Sequence, residues 1–278
     1  MYNNNCGLLI KIIDDGVGID MFKEILQYRE LLYMLTLRDI KIRYKQSVMG
    51  FLWAFFLPMV IVASGFVVRA AFSLTSGKPL QYQSLAAMSV KSIHWSLFIN
   101  SIRFATNSLI QNGRLIVHIY FPREILPLSS VLVNLFDFFI PLIVIMCVFA
   151  VTGVGISIYT LWFPVLLIMY IMLIVGAGLL LSCANLFFRD VKYIVEVALT
   201  FGIFFTPVFY DASMFGKWEN ILLLNPVGSI LECISRVCLY HQSPNAFWFC
   251  YCALWSAGIF YIGLRVFHKA ESFFSEIL

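Results

Sequence analysis

Apolar positions in this chain come in long unbroken runs separated by short polar breaks. Runs near residues 51–72, 85–102, 126–151, 161–184, 194–210 and 247–267 read as spans; the first is long enough to cross a hydrocarbon core of about 30 Å at about 1.5 Å per helical residue, and the fifth is short and aromatic-rich. The pattern predicts an all-α integral membrane protein with six transmembrane helices. The breaks are short: Thr75-Ser-Gly-Lys-Pro79 after the first run, Thr152–Thr160 after the third, and Phe188-Arg-Asp-Val-Lys192 after the fourth.

Ahead of the first run, Phe22, Ile25, Leu26, Leu32 and Leu35 recur at helical spacing from Asp20, a candidate N-cap. This predicts an amphipathic helix, laid on the membrane surface or packed on a partner domain. Residues 211–245 are semi-apolar and broken by Gly216, Pro226, Gly228 and Pro244. Each piece is too short to span, so re-entrant helices between spans five and six are expected. The domain reading is therefore a cytoplasmic N-terminal region over 1–50, a membrane domain over 51–267 and a tail over 268–278.

Composition agrees with this pattern, since 61% of the 278 residues are hydrophobic and 12% are charged. Met1–Asp20 holds Asp14, Asp15 and Asp20 and has no basic segment followed by an apolar one, so it does not read as a cleavable signal peptide. The first span is expected to direct insertion. Fourteen of the nineteen Lys and Arg residues fall before span one, between spans two and three, between four and five, or at the C-terminal end. Positive charge favours the cytoplasmic side, which places both termini there. The net charge of +4 is thereby explained by topology, and no nucleic-acid partner is expected.

Three spans carry unusual polarity. The second holds Lys91, Ser92, His94 and Asn100, which are costly against lipid, so it is expected to face protein or water. Arg69 lies near the outer end of the first, where it can snorkel. Asp137 lies within the third, and an acid there pairs, stays protonated or serves a proton relay. A relay needs several ionisable groups at one depth, and Lys91 and Glu196 lie nearer helix ends, so a structural hydrogen-bonding role is expected for Asp137. Gly176-Ala-Gly178 and Ser182 in the fourth span predict close helix contact. Trp53, Phe56, Phe201, Phe204, Phe205, Phe209 and Tyr210 supply aromatic faces that could stack on sugar rings or guide a lipid-linked chain, or simply face lipid.

Catalytic motifs are absent. Gly77-Lys78 is followed by Pro79 and has Phe72 where a phosphate-cradling loop needs glycine, so this chain is not expected to hydrolyse ATP. Neither H-E-x-x-H nor G-x-S-x-G occurs. The seven cysteines (6, 147, 183, 233, 238, 250, 252) include no C-x-x-C and read as apolar packers, and His94, His118, His241 and His268 are scattered. No metal site and no cofactor are expected on this chain.

Arg38-Asp-Ile-Lys-Ile-Arg-Tyr-Lys-Gln-Ser47, followed by Gly50, Trp53 and Pro58, resembles the membrane subunit of ABC-2 type polysaccharide exporters, the O-antigen and capsule permeases. Further matches follow in order. They are Tyr120-Phe-Pro-Arg-Glu-Ile-Leu-Pro127, Asp137, Phe188-Arg-Asp-Val191, Thr206-Pro-Val208 and Leu224-Asn-Pro226, so that the resemblance covers about Tyr28 to Val266.

The resemblance implies a homodimeric permease driven by two copies of a separate ABC ATPase, with ATP and magnesium held on that partner. It further implies a coupling interface including Arg38, Lys41, Arg43, Tyr120, Arg123, Glu124, Arg189 and Asp190, and gate helices over 211–245 facing the periplasm. Lys91 and His94 depart from the more apolar pattern of the family, which points to an anionic group on the substrate. The expected substrate is an undecaprenyl-diphosphate-linked O-antigen exported across the bacterial inner membrane. Capsular polysaccharide or teichoic acid is the alternative, and a proton-coupled transporter or membrane transferase the more distant one.

Overall fold

The computed structural model describes residues 26–45, 52–76, 82–152 and 157–277. Among them every regular element is helical: α1 (Arg29–Lys45), α2 (Leu52–Ser76), α3 (Tyr82–Gln111), α4 (Gly113–His118), α5 (Ile125–Thr152), α6 (Phe163–Phe187), α7 (Val191–Gly202), α8 (Glu219–Leu223), α9 (Pro226–Cys238), α10 (Ala246–Glu271) and α11 (Phe274–Ile277). Tight 3-10 turns over Ile158–Trp162 and Ala212–Trp218 lead into α6 and α8. Three helices among the described residues are long and apolar enough to cross a membrane: α5, α6 with its leading turn, and α10.

The most polar of the long helices lies at the centre. Helix α3 packs between α5 and α6 and also touches α2, α7 and α9. Residues 90–97 are all buried, Lys91, Ser92, His94 and Ser96 among them. Protein is what this segment faces, as its polarity predicts. Its hydroxyls are satisfied locally: Ser89, Ser92 and Thr106 donate to the carbonyls of Leu85, Met88 and Ile102, 2.7–2.9 Å away. Neighbouring helices add bonds to its main chain, with Tyr170 Oη donating to the His94 carbonyl at 2.8 Å and Asn185 Nδ2 to that of Thr106 at 2.9 Å.

The α6–α10 contact depends on glycine. A Cβ on Gly263 would lie 2.5 Å from the Gly176 carbonyl oxygen, and one on Gly176 would lie 2.5 Å from Phe260 Cα. Only a residue with no side chain permits two backbones this close. Gly178 allows the other face of α6 to meet Ala105 of α3. The expected close contact of Gly176-Ala-Gly178 is therefore found, shared between two partner helices.

Several boundaries differ from those expected. The second segment runs on as helix to Gln111, past the apolar limit at Ile102, because no glycine or proline interrupts the chain between Tyr82 and Gln111. The fifth stops at Gly202, short of Tyr210. There Thr206 Oγ1 donates to the Gly202 carbonyl at 2.9 Å, and Pro207, which has no N–H, follows at once. At twelve residues, α7 is too short to cross a bilayer core of about 30 Å alone.

The N-terminal helix extends to Lys45, so the basic run is itself helical. The expected N-cap Asp20 lies outside the described residues, as do Ser47, Gly50, residues 77–79 and residues 153–156.

Candidate functional site

Helix α1 rests along α5, and Arg43 on it turns inward while Lys41 and Lys45 stay exposed. Arg43 donates to Asn134 Oδ1 at 3.1 Å, pairs with Asp137, and lays its guanidinium over the Phe104 ring at 4.4 Å. Tyr44 Oη donates to the other oxygen of Asp137. Burial, then the hydrogen bond and the charge of Asp137, push the Tyr44 phenol above its ordinary pKa. Two strong donors thus hold Asp137 in place, and four residues on, Pro141 has no N–H to offer the Asp137 carbonyl. One turn earlier on α1, Arg38 bonds Asp39 at 2.8 Å and Asn112, at the end of α3, at 2.9 Å.

The C-terminal ends of α3, α6 and α10 meet α4, the turn before α5, and α11 at one end of the molecule. Tyr120 stands out from it, 92% exposed, beside exposed Val117 and Ile119. Arg189 and Asp190 are exposed in the α6–α7 turn next to exposed Phe188, and Lys41 is exposed on α1. Arg123 and Glu124 face inward instead. The Arg123 guanidinium donates to the Glu271 main-chain carbonyl and lies 5.8 Å from the Phe274 ring, and Glu124 is 1% exposed. Of the eight residues expected at a coupling face, Tyr120, Lys41, Arg189 and Asp190 are exposed on this chain. Arg43, Arg123 and Glu124 pair or bond within the chain, and Arg38, also bonded to Asp39 and Asn112, stays partly exposed.

Between α3 and α7, a cleft of about 230 Å³ is lined by Arg103, Thr106, Asn107, Lys192, Tyr193, Val195 and Glu196. Arg103 meets Glu196 across it at 2.7 Å. At the opposite end, the Lys91 ammonium reaches Asp211 at 3.0 Å and Glu232 at 2.7 Å, with the Tyr210 carbonyl at 3.5 Å. The charge of Lys91 is taken up by acids of the 211–245 segment. A recess of about 270 Å³ opens beside them, lined by Asp211, Glu219, Glu232 and Arg236 among others. His94, one turn along α3, lies among Phe138, Phe163 and Tyr170, with Nδ1 2.8 Å from the Val90 carbonyl.

Two motifs singled out in the sequence meet here. Asn225 Nδ2 donates to Thr206 Oγ1 at 3.0 Å, while Asn225 Oδ1 caps α9 by accepting from Val227 N at 3.1 Å. A Cβ on Gly228 would meet the Pro207 ring at 2.8 Å. This seam joins the turns after α7 to the start of α9.

The aromatic set divides. Phe56, Phe201, Phe204 and Phe205 are exposed on the single chain. Phe209 is turned in against Gly65 of α2, and Tyr210 Oη donates to the Phe204 carbonyl at 2.8 Å. Trp53 belongs to α2, its side chain outside the described set.

Sequence reasoning did not name Tyr44, Arg103, Asp211, Glu232, His268 or Glu271 as site residues. For Asp211 and Glu232 a signal existed, since a lysine inside a span demands a counter-charge and these acids were available on its side.

A family model described as "ABC-2 type transporter" matches residues 30–239. The chain is 28% identical over 258 residues to a protein of Klebsiella pneumoniae named "O-antigen export system permease protein RfbA", a match covering 90% of this chain and 95% of the relative. A Myxococcus xanthus protein of the same name is 26% identical over 234 residues, covering 82% of this chain and 87% of the relative.

Proposed function

The chain belongs to the ABC-2 type transporter family, and on that premise we propose that it is the membrane permease of an O-antigen exporter. The single observation that carries this is the match to curated O-antigen permeases along 82–90% of the chain. The protein is a transporter subunit, not a catalyst.

Two copies line one path in the bacterial inner membrane, with both termini cytoplasmic, and two copies of a partner ABC ATPase bind and hydrolyse ATP. The cargo is a polysaccharide linked to undecaprenyl diphosphate. Each copy crosses six times, the fifth crossing being α7 together with the turns through Tyr210. The exposed group Tyr120, Phe188 and Arg189 supports docking of the ATPase at that end, because aromatic and arginine side chains dominate interface energetics. At the other end, the 211–245 segment tied to Lys91 supports an outer closure. Phe201, Phe204 and Phe205, exposed on one copy, support a path wall or the surface met by the second copy.

Reconstitution tests this reading. Proteoliposomes holding permease and cognate ATPase are expected to move lipid-linked glycan with ATP, and those holding permease alone to be inert. ATP-independent glycan movement by the permease alone at a comparable rate would overturn it.

A further inference from the structure

We propose that Glu124, His268 and Glu271 form a binding site for a divalent transition-metal cation of the zinc class. Glu124 lies in the turn that opens α5, while His268 and Glu271 stand three residues apart on one face of the last turn of α10. One ligand atom from each lies within 4.8 Å of the other two, and His268 Nδ1 is 3.8 Å from both Glu124 Oε1 and Glu271 Oε2.

Glu124 carries the argument. Its side chain is 2% exposed, and Oε1, which points at the imidazole, accepts no hydrogen bond among the described residues. A carboxylate oxygen buried without a donor demands a counter-charge. Arg123 does not supply it to Glu124. Its guanidinium is committed to the Glu271 main-chain carbonyl and lies over Phe274, and its backbone N–H donates to Glu271 Oε1 at 3.3 Å. Two carboxylates therefore converge on one imidazole.

The donor set fits the ion. One imidazole and two carboxylates suit zinc and its neighbours, whereas calcium and magnesium prefer all-oxygen shells. Bonds of about 2.0–2.2 Å place tetrahedral ligand atoms about 3.4 Å apart. Movements within side-chain reach close the present triangle to that size. A fourth position is left for water. The bound ion would tie the end of α10 to the turn carrying Arg123, and so to the loop presenting Tyr120. Helix α11, whose buried Phe274 packs at this end, braces the same place.

The test uses the full-length permease, purified in detergent and freed of metal with chelator. Zinc is titrated calorimetrically and cobalt by visible absorption, comparing the natural chain with His268→Ala and Glu271→Gln. The natural chain is expected to bind one more equivalent than either variant and to melt at higher temperature with zinc, while the variants gain nothing. Residual affinity at the site should fall by more than the roughly 10–100-fold typical of losing an outer-shell partner. The cobalt spectrum should lack thiolate charge transfer, which separates this site from the cysteines. Equal stoichiometry and equal zinc-dependent melting shifts in all three proteins would overturn the proposal, as would binding reported entirely by thiolate bands. If one variant fails to fold in the absence of metal, the other decides.

Discussion

Lys91 Nζ lies 2.7 Å from Glu232 Oε2, although 141 positions separate the two residues and each belongs to a largely apolar segment. Asp211 completes the cluster at 3.0 Å. A long-range ion pair therefore fastens the central helix α3 to α9 and to the turn preceding α8.

Removing one member leaves the others facing a charge imbalance at a site where Lys91 is 1% exposed. Breaking a buried pair from one side costs about 3–5 kcal/mol. Lys91→Met alone should therefore lower the melting temperature in detergent sharply. Adding Asp211→Asn and Glu232→Gln should recover much of the loss, because no net charge then remains buried. A Lys91→Met protein melting like the natural chain would show that the cluster stabilises nothing.

The arrangement around Asp137 gives a second expectation. Asp137→Asn keeps an acceptor for Tyr44 but loses the charge that holds Arg43, a cost of about 1.5–3 kcal/mol for a hydrogen bond to a charged group. Asp137→Leu also strands both donors and should be worse. In a double-mutant cycle with Arg43→Ala, contacting residues should couple by more than about 0.5 kcal/mol. Additive losses would mean that the pairing contributes nothing to the fold. Export abolished by Asp137→Asn at normal protein level and melting temperature would instead point to a proton-handling role.

How much of this was legible in the sequence follows from the range of each interaction. Helices α5, α6 and α10 follow from apolar run length, which is local, and the α6 glycines follow from the cost of a side chain at a close crossing. The end of α7 at Gly202 was not legible from hydropathy, because residues 203–210 are as apolar as those before them, and the stop comes from Thr206 and Pro207. Arg43 was legible as a charge but not as the partner of Asp137, 94 positions away. The basic run on α1 reads from sequence as a cytoplasmic segment at a coupling interface, and only the packing of α1 along α5 turns Arg43 inward. Glu124 and Arg123 were legible as a motif, but their inward orientation depends on α10 and α11 arriving from the end of the chain.

The glycine crossing allows a controlled comparison within one helix. A Cβ on Gly263 would stand 2.5 Å from backbone atoms that cannot swing away, while one on Gly258 meets nothing within 4 Å. Gly263→Ala should destabilise by about 1–3 kcal/mol, as overpacking does. Gly258→Ala should be neutral or slightly stabilising. Equal melting temperatures for the two variants would show that α6 and α10 do not cross as closely as described.

The last expectation concerns Tyr120, which is 92% exposed while Phe121, its neighbour, is buried. A large side chain held out by a turn fixed at Phe121 and Arg123 has no role in the packing of its own chain. Truncating it should therefore leave the fold intact. Val117, Ile119 and Phe188 are also exposed at the same end, and an exposed apolar group rimmed by charges such as Arg189 marks a contact surface. If an ATPase docks here, Tyr120 is placed to act as an anchor, and removing an anchor of this kind costs about 2 kcal/mol or more of binding. That corresponds to roughly a thirtyfold weaker complex, since about 1.4 kcal/mol is tenfold. Tyr120→Ala should thus keep its melting temperature and membrane level yet lose most co-purifying ATPase and most ATP-dependent export. A variant that retains the complex and exports at the natural rate would remove Tyr120 from the docking surface, and one that fails to reach the membrane would assign it to folding.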